Sequence, residues 1–250
     1  MLQFEVENEG ACTPIVERDR GIHNNIYFIP IALTTRYQPI VNIASGVTVG
    51  FELLSKIESI KNVDPEVFFR NLERDEFRKV VMEQIEQVNS IYDSQHAFHN
   101  VHFFINISFS LLSSSEFVLW VCQNVKFKLS LEIDYVDVSS SNKKRPATYI
   151  NILLEHGHEI WLDDYDGGKV NEFVAKIPWS GIKVDKSFLW QHAMENGKLH
   201  AILSSKLLAG RKVIIEGVET SKQKESCLQA GFMLGQGFYW GERTDLNRGF

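Results

Sequence analysis

The sequence predicts an α/β fold of the TIM-like (β/α)8 barrel type, modified by an antiparallel strand pair at its start. Apolar strand-like runs alternate with amphipathic stretches about eight times, the cadence of parallel βαβ units. The 250 residues match the ordinary size of one such barrel, and no low-complexity linker divides them. Polar residues recur at the ends of successive apolar runs, where a barrel's strand ends would gather at one mouth.

Residues 1–35 are irregular in pattern and read as an N-terminal extension, an accessory strand or arm, with the barrel over residues 36–250. YQPIVNI, the turn ASG and VTVGFELLS form a hairpin, with Glu52 between Phe51 and Leu53 where an unpaired charge is costly. Asp64-Pro65 opens one long amphipathic helix to about Ser94, with Phe77, Val81, Ile85 and Val88 on one face. VHFFINISF is a buried strand carrying Asn106 and Ser108, SSSEFVLWVCQN a helix, LSLEID a strand, and Ala147 to His156 a helix. IWLDD follows as a strand, Asn171–Lys176 as a short helix, GIKVD as a strand, and about Met194–Leu208 as a helix. KVIIEG, a helix opened by a Thr220/Gln223 capping box and stopped at Gly231, and the strand MLGQGFYW complete the series.

A 44% hydrophobic fraction allows a sizeable core, and a formal charge of −6 speaks against binding nucleic-acid duplexes through a basic surface. Three widely spaced cysteines without a CxxC motif suit free thiols in a reducing cytoplasm. The acidic N-terminus lacks a signal-peptide pattern, and the apolar run Ile26–Leu33 is too short to span a membrane.

The chemistry concentrates in EIWLDDYDGGK (Glu159–Lys169), where an apolar strand ends in adjacent carboxylates followed by paired glycines. Alone, this is either an Asp-rich turn or a divalent-cation site, because two close carboxylates repel unless a metal or proton lies between them. Glu52, Asn106, Glu132, Asp163 with Asp164, Lys183 with Asp185, Glu216 and Gln236 each lie in or at the end of a separate apolar strand. Any one of them could be a core hydrogen-bonding residue; their repetition on strand after strand points to a site. Oxygen ligands without a His/Cys cluster favour magnesium or manganese over zinc. Several carboxylates, an amide and a lysine suit two-metal hydrolysis of a phosphodiester. No GxxxxGK[ST] loop or GxSxG elbow is present.

Together YQPIVN, FELLS, INIS, LEID, LDDYDGG, IKVD, IEGVET and GQGF, in this order from about Arg36 onward, resemble the EAL-domain family. The resemblance implies a modified (β/α)8 barrel that hydrolyses cyclic di-GMP to linear pGpG with two Mg2+ or Mn2+ ions. It implies that Glu52, Asn106, Glu132 and Asp163 ligate one metal, that Asp163 bridges to a second, and that Asp164 and Asp185 lie nearby. Lys183 and Glu216 become the pair that positions and activates water, Glu219 and Gln236 support the site, and Gln38 and Lys56 contact substrate. The resemblance also implies a homodimer, with motility and biofilm as the processes its messenger governs, while the free thiols and the 250 residues filled by the barrel lead us to expect a stand-alone cytoplasmic enzyme.

Several positions depart from the family pattern. Lys56 stands where an arginine is usual, which replaces a bidentate phosphate fork by a point charge. The loop usually written DDFGTGYSS is DDYDGGKVN, with Asp166 and Lys169 added beside Gly167 and Gly168. Tyr135 replaces a glutamate that anchors this loop in the family, so loop control and the metal ligands need not share one fate. The alternative reading is a degenerate barrel that binds cyclic di-GMP as a receptor or acts through a protein partner such as a transcription regulator.

Overall fold

A computed structural model describes residues 2–6, 12–14, 28–31, 33–58, 64–140, 146–243 and Leu246. The first three of these segments form a three-stranded sheet in which β1 (Leu2–Val6) pairs antiparallel with β2 (Cys12–Pro14) and β3 (Phe28–Ile31). Of the apolar run Ile26–Leu33, the residues Ile26, Tyr27 and Ala32 lie outside the described residues.

The remaining strands close into an eight-stranded barrel. They are β4 (Leu33–Asn42), β5 (Thr48–Ile57), β6 (His102–Asn106), β7 (Leu129–Asp134), β8 (Glu159–Tyr165), β9 (Gly181–Val184), β10 (Lys212–Ile215) and β11 (Leu234–Gln236). Only β4 runs against its neighbours: it pairs antiparallel with β5 and β11, and every other pairing is parallel. The expected hairpin is therefore present, its turn tightened by Gly46 at φ 72°.

Helices α1 (Pro65–Arg70) and α2 (Arg74–Ser94) replace the single long helix of the sequence reading. Asn71 favours a turn over a helix interior, and α2 restarts with Asp75 and Glu76 against its positive end. Val81, Ile85 and Val88 are buried as their spacing requires, while Phe77 is partly buried. After α3 (Ser115–Asn124), Tyr135–Ser140 forms α4, in a stretch to which the sequence pattern assigns no element. The chain continues through α5 (Pro146–Glu155), α6 (Glu172–Lys176), α7 (Lys186–His192), α8 (Asn196–Leu203) and α9 (Ser221–Ala230). The helix expected at Met194–Leu208 is thus shorter, and α7 precedes it because the Asp185 carboxylate caps the Ser187 amide. The capping box at Thr220 and Gln223 and the stop at Gly231 are as expected. The last strand ends at Gln236 because the backbone of Gly237 approaches Val218 so closely that a Cβ would lie 2.2 Å from its carbonyl oxygen.

Strand alternation sorts the interior into layers. Ile40, Phe104, Trp161 and Ile214 form a separate buried cluster, with Phe104 and Trp161 edge to face at 5.1 Å. Gly181 makes room for this plug, since a Cβ there would meet the Trp161 ring at 2.4 Å. The main core fills the space between barrel and helices.

Candidate active site

Above the plug, the next layer of strand positions is polar, with Gln38, Glu52, Asn106, Glu132, Asp163, Lys183 and Gln236 on seven of the eight barrel strands. Lys183 is 1% exposed and stands at the centre of four carboxylates. Its Nζ lies 2.7 Å from Glu216, 2.9 Å from Glu52, 3.1 Å from Glu132 and 3.2 Å from Asp163. An ammonium has three protons, so it cannot serve four acceptors equally. Glu52 is the best satisfied: it also accepts from Asn106 Nδ2 at 2.8 Å and from Gln236 Nε2, which reaches Gln38 Oε1 at 2.6 Å. Glu132 Oε1 and Asp163 Oδ1 meet Lys183 only as ion-pair contacts without hydrogen-bond geometry, and Glu132 Oε2 has no partner, although both residues are buried.

The electrostatics follow from this shortage of positive charge. Burial alone would raise the Glu52 carboxyl, but Lys183 and the amides of Gln236 and Asn106 more than offset it and leave it low. Glu132, without such amides, is pushed well above the usual range by burial and then by the charge of Glu52. Glu216 is raised well above it by burial, reinforced by Asp163 and Glu52, against the pull of Lys183. Asp164 is exposed at the mouth, yet desolvation and the charge of Asp163 push its carboxyl up to about 7. Burial opposes charge on Lys183, but Asp163, Glu132, Glu216 and Glu52 outweigh it and keep the lysine firmly protonated.

The arrangement fits divalent cations. Four carboxylates facing one ammonium leave a net deficit of about three positive charges if all ionise. Oxygens of Glu52, Glu132 and Asp163 lie within 4.8 Å of one another, as do those of Asp163, Asp164 and Glu216, so Asp163 belongs to both groups. All-oxygen donors with orphaned buried carboxylate atoms suit Mg2+ or Mn2+.

The other residues singled out in the sequence lie at varying distances from this centre. Asn106, Gln38 and Gln236 join it through Glu52. Asp185 is in neither carboxylate group; it caps α7, while its charge adds to the rise of Asp164. Glu219 is exposed, and its backbone amide donates to Gln223. Lys56 is exposed and binds Glu58 at 2.9 and 3.1 Å. Asp166 accepts from the Gly168 amide within the loop, Gly167 has φ 85°, and Tyr135 donates its hydroxyl to the Lys169 carbonyl at 2.8 Å. Tyr165 was read only as part of the acidic motif, yet its hydroxyl holds the Gly168 carbonyl at 2.7 Å.

The chain belongs to the EAL domain family, whose model matches residues 31–243. It is 26% identical over 221 residues to the probable cyclic di-GMP phosphodiesterase PdeB of Escherichia coli, a match covering 83% of this chain and 42% of that protein. The chain therefore spans less than half of that relative's length. Among solved structures it resembles the phosphodiesterase PaMucR in complex with c-di-GMP, with a TM-score of 0.70, 23% identity, and coverage of 86% of this chain and 93% of that one. It also resembles Klebsiella pneumoniae BlrP1 in a manganese/cy-diGMP complex, with a TM-score of 0.68, 19% identity, and coverage of 84% and 57%. No helix among the described residues is long and apolar enough to cross a membrane.

Proposed function

We propose that this chain is a cyclic di-GMP phosphodiesterase that opens the cyclic dinucleotide to linear 5'-pGpG with two Mg2+ or Mn2+ ions. The observation that carries this reading is the buried Lys183 among four carboxylates, with orphaned oxygens on Glu132 and Asp163. Family membership and the cyclic di-GMP complexes of similar folds support the substrate.

Glu52, Asn106, Glu132 and Asp163 would hold one ion; Asp163, Asp164 and Glu216, with Asp185 nearby, would hold the other. Bound there, such ions polarise phosphoryl oxygens and make hydroxide available near neutral pH. Lys183 keeps its proton, so it acts by orienting the carboxylates and donating to oxygen as charge develops, not as a base. Glu216, ionised once cations offset the burial and the Asp163 and Glu52 charges that raise its carboxyl, would be the member of that pair able to accept the proton of the attacking water. Gln38 and Gln236 bear on the substrate side of Glu52, and Glu219 supports the rim.

The test is incubation of the purified chain with cyclic di-GMP and Mg2+ or Mn2+, resolving the products by chromatography beside a chelator control. Cation-dependent pGpG is expected; its absence with cyclic di-GMP still bound would establish the receptor reading instead. One observation favours the degenerate barrel in its protein-partner form: Lys56, expected to meet the substrate, pairs with Glu58 instead.

A further inference from the structure

Two phenol hydroxyls converge on the loop that follows the acidic strand. β8 and β9 pair as Leu162 with Ile182 and next as Tyr165 with Val184, so Asp163 and Asp164 together oppose Lys183. This is a bulge of two residues against one. In a regular strand, adjacent side chains leave on opposite faces, and Asp164 would turn away from the mouth. Here Asp164 takes the left-handed conformation, φ 53°, the only non-glycine among the described residues to do so. That turn returns its carboxylate to the side of Asp163 and Glu216.

A left-handed L residue relaxes readily unless its flanks are held. On its C-terminal side the backbone rejoins the sheet through the Tyr165 carbonyl, which accepts from the Asp185 amide at 3.0 Å. Beyond it, the Tyr165 hydroxyl donates to the Gly168 carbonyl and the Tyr135 hydroxyl to that of Lys169, and the two rings meet edge to face at 5.9 Å. Consecutive carbonyls are thus gripped by one buried and one half-buried ring.

We propose that Tyr135 and Tyr165 form a clasp that fixes the bulge and so places the Asp164 carboxylate against Asp163 and Glu216. Both are positioning residues, and their purpose rests on reading that carboxylate group as a cation site. The polarity of the clasp is specific. A glutamate at position 135, the residue the family resemblance leads one to expect, has no proton for the Lys169 carbonyl when ionised.

The experiment uses the full chain with Tyr135→Phe, Tyr165→Phe, the double variant and Tyr135→Glu. Amide hydrogen exchange across residues 164–170, measured without cations, should accelerate about tenfold or more in the double variant and remain slow elsewhere in the barrel. Titration with Mn2+ alone should show two ions bound by the unsubstituted chain, with the weaker one losing about 10–100-fold in affinity in the double variant and the tighter one unmoved. Tyr135→Glu should behave like Tyr135→Phe. Unchanged exchange, or equal weakening of both ions, would overturn the clasp, as would a Tyr135→Glu chain indistinguishable from the unsubstituted one. Binding of fewer than two Mn2+ ions by the unsubstituted chain would instead overturn the two-cation reading, with the exchange result still deciding whether the hydroxyls hold the loop. Tyr135→Phe, at a half-buried position, keeps the test informative should Tyr165→Phe impair folding.

Discussion

The two ends of the barrel interior hold opposite charge problems. At the mouth, one lysine faces four carboxylates. At the floor, one carboxylate, Glu159, faces Lys128 and Lys212 at 2.6 Å each, accepts from Trp161 Nε1 at 2.9 Å and Ser130 at 3.3 Å, and lies 4.0 Å from His102. The floor is solved internally: burial would raise Glu159, but the lysines and the indole outweigh it and bring it down to about 2. The mouth is left with orphaned oxygens and raised carboxyls. The same strands serve both ends, since β8 presents Glu159, then Trp161, then Asp163, and β10 presents Lys212, then Ile214, with Glu216 immediately past its end. The difference teaches that the floor is built for stability and the mouth for something it does not itself contain.

The largest expected effect is on turnover. Glu52→Ala should lower kcat by about 100–1000-fold or more, the scale on which a preorganised charge-stabilising group matters. It should leave the fold intact, because Lys183 keeps three carboxylate partners. Hydrolysis at the original rate by this variant would remove the distinction between the two ends. Next in size, Lys183→Met takes the only cation out of the buried carboxylate cluster, and chelator-treated protein should lose about 3–5 kcal/mol in urea unfolding. A loss no greater than that of a surface lysine would show that the mouth carboxyls are already neutral and the charge deficit unreal.

Much of this contrast was legible before any coordinates, because a period of two is easy to read. Placing a carboxylate at the end of one apolar strand after another forecast the mouth, and the turn ASG between two β-rich runs forecast the hairpin. The floor was not legible: Glu159 opens its strand as any surface charge might, and its partners Ser130 and Lys212 lie 29 and 53 residues away in sequence. Nor was the bulge at Asp164, since the residues DDY carry no sign of a left-handed backbone. The same holds for Lys56, whose pairing with Glu58 competes with the substrate contact expected from its motif. Local pattern fixes which side of a strand a residue takes, whereas charge partners are settled by the closed sheet.

At the floor, Glu159→Gln should cost about 1–2 kcal/mol. The drop from 4.5 to about 2 corresponds to about 3 kcal/mol, reduced by roughly half because both lysines meet solvent. A depressed carboxyl stabilises the fold fully above its unfolded value and loses that contribution as pH falls toward 2. The melting temperature of the variant should therefore depend less on pH below 4.5. The limb between about 6.5 and 4 should persist, because His158, lowered to about 4 by burial, remains. Unchanged slopes on both limbs would mean that Glu159 is not held by its lysines.

The same isosteric change at the other end should have the opposite sign. Glu132→Gln removes a carboxyl that burial and Glu52 both keep from ionising, and a neutral amide can donate to the neighbouring carboxylates without taking up a proton on folding. In chelator-treated protein it should raise stability by about 1 kcal/mol, the modest gain typical when a strained functional group is neutralised. With Mn2+ present, the advantage should vanish or reverse, because the unsubstituted chain then gains binding energy that the variant cannot match. Paired melting curves of the Glu132→Gln and Glu159→Gln chains, each with and without Mn2+, therefore test the comparison directly. Destabilisation by Glu132→Gln in the absence of cations would place Glu132 with Glu159 as an internally satisfied carboxylate, and the mouth would need no ion to complete it.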